Sequence, residues 1–274
     1  MTGFSLLETL LATAIAIGLS AVAFQLFHQN ERIFRDQLLI LEMQQGARVI
    51  VSQAGDDIRM AGQSVPPGLS EVILPGSGDS RLNLRTSFSA TESVVVSGMP
   101  LPVTGGSAVT VVVDSTTGFA NGRQAFLWAD QSWARATINS VSNAARSIRL
   151  TPSTVSSSPL EFVVPPAISL DEAVALFWDS TTKTVRRTTG TNTENPASPS
   201  WAPANELVAN VLALSFLYFD AADLPVIPDS PERRAMVTSV EARVIMRASA
   251  SLSDGSRPTF ALSTRAVVRN ARLR

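Results

Sequence analysis

One carboxylate lies inside a long apolar stretch near the start of the chain. Glu8 is the only charged residue between Phe4 and Phe27, where Leu, Ala, Ile, Val and Phe dominate. A carboxylate deep in a membrane helix costs about 2.5–3.5 kcal/mol on insertion scales, and such residues usually mark a functional pairing. The nearest lysine or arginine in the sequence is Arg32. Cleavage just before Phe4 would create a free α-amino group, which could supply the cation that Glu8 needs.

A second group of carboxylates occurs in a proline-rich segment near residue 225. It consists of Asp220, Asp223, Asp229 and Glu232. Hard cations prefer several oxygen ligands, so this segment could hold calcium. The spacing matches no EF-hand loop, however, and solvated loop charges are far commoner. We therefore interpret these acids as loop charges, with a calcium site as the alternative.

Two acidic pairs and one histidine are the remaining candidates for catalysis. We interpret Asp56-Asp57 and Asp171-Glu172 as charges on a helix surface or a strand edge rather than as paired catalytic acids. The chain contains no cysteine and a single histidine, His28. This composition disfavours thiolate chemistry, iron–sulfur clusters, zinc sites and Ser-His-Asp triads. The sequence therefore predicts neither an enzyme nor a bound cofactor.

Arginine is concentrated toward the end of the chain. Nine arginines lie from Arg233 to Arg274, against only Glu241 and Asp254. Basic clusters bind phosphate, so DNA is one alternative partner. The arginines alternate along predicted strands, however, as solvent-facing charges do, and their partners could be the acids of segment 220–232 or those of adjacent subunits. We therefore do not expect nucleic acid to be a partner.

Tryptophan and glycine motifs give weaker signals. Trp128 and Trp133 flank a predicted turn, and Trp201 lies in a proline-rich loop. An exposed tryptophan can be an adhesive contact, but we expect the first two to pack in a hairpin or core. The Gly-Ser-Gly at 76–78 and the Gly-Gly at 105–106 lack the lysine and the helix of a phosphate loop. Both motifs predict turns.

The stretch around Glu8 has the length of a membrane span. The 19 residues from Thr9 to Phe27 carry no charge, and about 20 apolar residues cross a bilayer as a helix. The Ala-Val-Ala at 21–23 would also fit a secretory signal, but no positive charge precedes the apolar run. We predict a transmembrane segment over 4–27, with a cleaved signal or a plain membrane anchor as alternatives.

The same helix is predicted to continue beyond the membrane. Apolar residues recur at spacings of seven, four and three, which places them on one helical face. These residues are Ile33, Ile40, Ala47, Val51, Ala54, Ile58 and Ala61. Gly62, followed by prolines at 66–67, is a helix stop signal. The pattern predicts one helix over 4–62, about 87 Å long, with a bend at Gly46 as the alternative.

Short β-prone runs separated by turn residues follow the helix. They are 94–96, 108–114, 124–128, 134–141, 147–151, 160–164, 173–178, 182–188, 212–220, 237–251 and 259–268. In 240–247, charged residues alternate with apolar ones, so the charges should face outward. This order predicts an α+β fold in which the long helix packs on an antiparallel sheet. Residues 63–274 would form the globular domain, with a small β-module inserted at about 105–166 and an exposed loop at 190–203.

The first residues of the chain resemble the processing motif of the type IV pilin family. The motif reads Gly3-Phe4-Ser5-Leu6-Leu7-Glu8. In that family, a prepilin peptidase cleaves after the glycine and methylates the new N-terminal phenylalanine. The resemblance implies that residues 1–3 are a leader peptide, that cleavage falls between Gly3 and Phe4, and that Phe4 is N-methylated. It also implies that Glu8 neutralises the N-terminal amine of a neighbouring subunit during assembly.

Further features resemble the minor subunits of that family. The helix end at 57–62 is similar to that of PilW-like minor pilins, and the segment from Leu207 to Arg269-Asn270 is similar to the closing sheet of PilW-like and GspJ-like subunits. Gln25 stands where major pilins tend to carry a helix-kinking proline. The resemblance implies a minor pilin that helps to initiate or cap a type IV pilus. The alternatives are a minor pseudopilin of a type II secretion system and a tip adhesin or DNA-uptake subunit.

The resemblance also implies partners and a location. The partners would be a prepilin peptidase and other major and minor pilins. The location would be the bacterial inner membrane, with one span and the globular domain outside the cytoplasm, and then the pilus or cell surface. The formal net charge of −1 gives no overall attraction to nucleic acid or anionic lipid.

Overall fold

The computed structural model describes residues 6–67, 69, 72–191, 193 and 200–268. One long helix is followed by antiparallel sheets, so the predicted α+β class is confirmed. The elements are α1 (Leu6–Met60), β1 (Arg81–Arg85), β2 (Glu92–Val94), β3 (Leu101–Val103), β4 (Val109–Val112), β5 (Gln124–Ala129), β6 (Ser132–Ser142), β7 (Ser147–Val155), β8 (Leu160–Phe162), β9 (Ala167–Leu170), β10 (Glu172–Asp179), β11 (Thr184–Thr191), β12 (Ser200–Trp201), β13 (Asn205–Val208), β14 (Val211–Phe219), β15 (Pro225–Val226), α2 (Pro231–Met236), β16 (Ser239–Arg247) and β17 (Thr259–Val267).

Helix α1 is continuous through Gly46, so the alternative of two helices with a bend there is wrong. Of the predicted apolar face, Ala47, Ala54, Ile58 and Ala61 are fully buried. Ile33, at the start of that pattern, is 47% exposed. At that point the helix projects beyond the globular domain, so no sheet is present to cover the side chain.

Glycines end the helix and shape two of the turns. Gly62, with a φ of 82°, follows the last turn at Met60, and glycine adopts this left-handed conformation without strain. Its amide donates to the carbonyl oxygen of Arg85 at 2.9 Å, which ties the helix end to β1. Gly76 and Gly106 each have a φ of 79°. Both predicted turns are therefore confirmed.

The main hydrophobic core lies between the second half of α1 and two sheets. One sheet has the strand order β15-β14-β16-β17, and the other has the order β1-β10-β11-β12, with β13 also paired to β11. Tyr218 on β14 connects the sheets, because its hydroxyl lies 3.1 Å from the carbonyl oxygen of Gly78 and 3.2 Å from that of Arg81. Burial raises the pKa of this phenol well above its ordinary value. Tyr218 therefore remains a neutral hydrogen-bond donor between the sheets.

A second sheet system forms a small closed barrel with its own core. Its order is β2-β9-β5-β6-β7-β4, and β4 returns to β2 through the pair Val95–Val113. The amide of Val96 donates to Val112 at 2.8 Å, and that of Asp114 to Val94 at 3.0 Å. Strands β3 and β8 pair separately and contribute to the same core. The barrel strands begin at β2 and end at β9, beyond both limits of the predicted module at 105–166.

Candidate functional site: the exposed face of the N-terminal helix

The first part of α1 lies outside the globular domain. From Leu6 to Glu42 no residue is buried, and the first buried residue is Met43. Within the described residues, this is the one helix long and apolar enough to cross a membrane, by length and composition. Its exposed large apolar residues up to the predicted membrane boundary are Leu6, Leu7, Leu10, Leu11, Ile15, Ile17, Leu19, Val22, Phe24, Leu26 and Phe27.

The threonine and serine hydroxyls of this segment bond to backbone carbonyls of the same helix. The Thr13 hydroxyl donates to the carbonyl oxygen of Thr9 at 2.9 Å, and the Ser20 hydroxyl to that of Ala16 at 2.8 Å. Such bonds spare a hydroxyl the cost of losing water in an apolar environment. The segment therefore presents an almost entirely apolar surface, interrupted by Glu8.

Glu8 lies in the first described turn of α1 and is exposed. A carboxylate in the first turn of a helix interacts favourably with the positive end of the helix dipole. Gly3 and Phe4, which carry the predicted cleavage and methylation sites, lie outside the described residues. Arg269 and Asn270 of the predicted closing sheet also lie outside them.

An apolar stripe continues along α1 beyond the predicted membrane segment. It consists of Phe34 (63% exposed), Leu38 (49%), Leu41 (50%) and Val49 (50%). At 3.6 residues per turn, these positions lie on the opposite side of the helix from the buried face around Ala47. A surface helix normally carries polar residues on that side. We call these four residues the outward stripe; the sequence reasoning missed it, although its spacings of four, three and eight would have revealed it.

The globular domain first touches the helix at the loop between β16 and β17. The amide of Ser253 donates to a carboxylate oxygen of Asp36 at 3.0 Å, and the hydroxyl of Ser249 to Glu42 at 3.2 Å. His28 and Glu31 lie just before this point and are 3.5 Å apart on the exposed helix surface. The loop therefore marks where the projecting part of α1 ends.

An ion pair fixes the other end of α1 to the sheet. The guanidinium of Arg187 on β11 donates to both oxygens of Asp57, at 3.0 and 2.9 Å, and Gln53 donates to one of them at 3.0 Å. Asp57 is only 1% exposed, so its prediction as a surface charge was wrong. Asp57 points toward β11, whereas Asp56 faces solvent and pairs with Arg59 at 2.9 Å.

The second acidic pair is also buried, contrary to its prediction as strand-edge charges. The Arg85 guanidinium donates to Asp171 at 3.1 Å, and both side chains are fully buried. Arg123 donates to Glu172 at 2.7 Å. The sequence could not show this, because the partners are distant along the chain. These pairs connect β1 and β10 of the main core with the barrel, and each carboxylate is matched by an arginine.

The acids of segment 220–232 serve the loop and nearby arginines. Asp223 pairs with Arg265, and Asp229 pairs with Arg233. For these two arginines, the partners are therefore acids of segment 220–232, which was one of the two predicted possibilities. Asp220 accepts two backbone amides of its own loop at 2.9 Å. Within the described ranges, no group of three or more His, Asp or Glu residues is placed to hold a metal ion. The geometry therefore gives the calcium alternative no support.

The tryptophans pack against their own strands. Trp128 and Trp133 face each other across the β5–β6 hairpin, and the Trp133 ring lies 6.5 Å from that of Phe126. The hairpin role predicted for these two residues is confirmed. Trp201 packs on Gly190 of β11 so closely that a Cβ there would lie 2.7 Å from the indole ring. Trp201 therefore covers β11 rather than extending from a free loop.

The fold and this site define a class of protein: a β-rich domain carried on a long helix whose projecting part is apolar and exposed. No protein-family model and no curated protein matches the chain.

Proposed function

We propose that this protein is a minor pilin of the PilW type, which helps to initiate or cap the assembly of a type IV pilus. The outward stripe of α1 carries the proposal. An exposed apolar patch on a part of the helix that faces water marks a site that a partner covers. Phe34, Leu38 and Leu41 form such a patch within about two helical turns. It begins seven residues past the predicted membrane boundary, after the polar residues 28–32, so lipid would not cover it. Parallel helices of neighbouring subunits would cover both this patch and the apolar segment.

Glu8 gives the assembly its selectivity in this proposal. Cleavage between Gly3 and Phe4 by a prepilin peptidase would free an α-amino group, which is then methylated. A buried charge is tolerable when an opposite charge pairs with it, and costly when it stands alone. A neighbour's amine and Glu8 would therefore favour association between correctly processed subunits.

The proposed location follows from the same helix. The apolar segment would hold the chain in the bacterial inner membrane, with the globular domain outside the cytoplasm, until other pilins take it into the filament. This role is structural and needs neither a catalytic group nor a cofactor. Arginines at 187, 85 and 123 match the buried acids at 57, 171 and 172, which supports a scaffolding role for those acids.

The test is to replace Glu8 and to compare membrane insertion with filament incorporation. We expect Glu8→Ala to remain in the membrane fraction, because it loses only a costly charge, and to fall at least tenfold in sheared filaments. Glu31→Ala is the matched control, since Glu31 is an exposed carboxylate on the same helix and should incorporate normally. Incorporation of Glu8→Ala at the wild-type level would contradict the proposal.

A further inference from the structure

Strand β17 is a long sheet edge that carries one charged residue, Arg265. It ends the order β15-β14-β16-β17, and no other described strand pairs with it. Its nine residues contain no proline and no glycine, and its register with β16 has no bulge. The opposite edge is β15, with two residues that begin at Pro225. Natural proteins usually protect a long edge with bulges, prolines or charges, because its open backbone groups can pair with another strand.

The hydrogen bonds at both ends of β17 show which residues face outward. The amide of Val268 donates to Thr238 at 2.9 Å, and that of Ala248 to Pro258 at 3.1 Å. In an antiparallel pair, alternate residues bond the partner strand and the others point away from it. The even-numbered residues of β17 therefore bond β16. The outward-facing residues are Thr259, Ala261, Ser263, Arg265 and Val267, and all five are exposed.

Arg243 and Arg247 of β16 leave this face of the edge positively charged, since the third arginine, Arg265 on β17, pairs with Asp223 and lies opposite Glu241. On β16, Arg243 lies opposite Ser263 and Arg247 lies opposite Thr259. Both arginines are exposed, and within the described part of the chain neither side chain contacts a carboxylate. The small residues on β17 leave space for the long arginine side chains to extend toward the free edge. Acidic side chains on an added strand would meet them there.

We propose that β17 binds an extended acidic segment of another protein, which adds a fifth strand to this sheet. In strand addition, backbone hydrogen bonds supply affinity and side-chain contacts supply specificity. Here the five outward-facing residues supply the backbone groups, and Arg243 and Arg247 select acidic side chains.

Antiparallel pairing with a second copy of the chain does not fit this edge. Helix α1 runs antiparallel to β16 and parallel to β17, because Asp36 contacts Ser253 in the loop whereas Gly46 lies against Met246 on β16. Antiparallel pairing of two β17 strands would point the two helices in opposite directions. This exclusion rests on the proposed membrane anchoring, since two subunits of one membrane must be parallel.

The test uses the full-length chain in detergent and a fluorescent nine-residue peptide in which glutamate alternates with valine and threonine. Anisotropy should show at least tenfold tighter binding of this peptide than of its lysine counterpart. Ser263→Pro removes one outward amide and leaves the β16 bonds intact, as proline does at an open edge. We expect it to weaken binding at least tenfold, whereas Ser263→Thr should bind like the wild type.

The arginines are tested separately, with variants that leave the backbone unchanged. The double variant Arg243→Glu, Arg247→Glu should reverse the preference from the acidic to the basic peptide. Arg149→Glu is the control, because Arg149 is an exposed strand arginine on the barrel. Unchanged thermal unfolding would verify that each variant is folded.

Three results would overturn the proposal. One is wild-type binding by Ser263→Pro. The second is that duplex DNA displaces the peptide and that Ser263→Pro still binds DNA. The arginines would then form a nucleic-acid surface. The third is that the wild-type chain binds no peptide but forms a dimer, and that Ser263→Pro abolishes this dimer. A second copy of the chain would then be the occupant of the edge. None of these results depends on Glu8, so failure here is distinguishable from failure of the proposed function.

Discussion

The two parts of α1 are both rich in apolar residues but differ in what covers them. From Met43 to Ile58, one face is buried by the two sheets of the main core. From Leu6 to Arg35, every described residue is exposed, and from Asp36 to Glu42 the domain covers the helix only in part, through the loop between β16 and β17. Burial of apolar surface is the main favourable term in folding and in association. The same helix therefore serves folding in its second part, and its first part is available to a membrane or to neighbouring subunits.

This difference shows that apolar composition alone does not tell whether a helical segment is buried in its own domain or left exposed. Val49 and Ile50 are adjacent and apolar, yet Val49 is half exposed and Ile50 is fully buried. Substitutions in the buried part should change the stability of the domain. Substitutions of Glu8 or of the outward stripe should change assembly and leave the stability unchanged.

The largest effect on stability should come from the ion pair at the buried end of α1. Arg187→Met leaves the carboxylate of Asp57 buried without its arginine. We expect a loss of about 3–5 kcal/mol in the free energy of unfolding, measured by chemical denaturation in detergent. The matched substitution in the projecting part, Glu8→Gln, should leave that free energy unchanged. Equal losses of unfolding free energy in Arg187→Met and Glu8→Gln would contradict the distinction between the two parts of α1.

A pair of truncations tests the packing itself. Ile50→Ala creates a cavity in the main core and should cost about 2–5 kcal/mol. Leu41→Ala, on the outward stripe, should stay within about 0.5 kcal/mol of the wild type. The same denaturation experiment measures both, and a large cost for Leu41→Ala would show that the stripe is already covered by its own domain.

Two of the three glycines of α1, Gly46 and Gly18, allow the opposite test, in which volume is added. A Cβ at Gly46 would lie 3.0 Å from side-chain carbons of Met246 and Val208, whereas one at Gly18 would meet nothing within 4 Å. Gly46→Leu should therefore cost about 1–3 kcal/mol through overpacking. Gly18→Leu should not lower the melting temperature of the domain. A neutral Gly46→Leu would mean that the helix can move away from β16.

The smallest effect is expected at the loop that divides the two parts. Hydrogen bonds from Ser256 lower the pKa of Asp254 below its ordinary value. Because the pKa is lowered in the folded state, the ionised Asp254 side chain stabilises the loop at neutral pH. This stabilisation is lost as the pH falls below about 4. Hydrogen exchange should show the Ser256 amide losing protection in acid. In Asp254→Asn, which does not titrate, protection should not change over that pH range.

Local patterns predicted the long helix and most of the longer strands, but missed β1, β3, β9, β12, β13, β15 and the short helix α2. The alternation in 240–247 places Val240, Ala242 and Val244 in the core and Arg243 outside, as observed. Strand β1 was not predicted; an arginine stands at each of its ends, yet its leucines and Arg85 are buried. Arg85 can be buried only because Asp171, which is 86 positions away, meets it. No local pattern contains that information.

The candidate site was predicted only in part, for a similar reason. Glu8 stood out because it is a lone carboxylate in an apolar run. The outward stripe was missed because its residues are ordinary apolar residues, and only the placement of the domain shows which side of α1 is uncovered. The burial of Asp57 likewise depends on β11, which packs against the helix far along the chain.

Thiol labelling of α1 can show whether neighbouring subunits cover the outward stripe, because the chain has no cysteine of its own. Leu41→Cys, Ala47→Cys and Ala120→Cys would report on the outward stripe, the buried face and the exposed barrel surface. We predict that Leu41→Cys reacts readily in the isolated chain and is protected in filaments. Ala47→Cys should be protected in both states, and Ala120→Cys should react in both. Equal reactivity of Leu41→Cys in the isolated and assembled states would contradict the account.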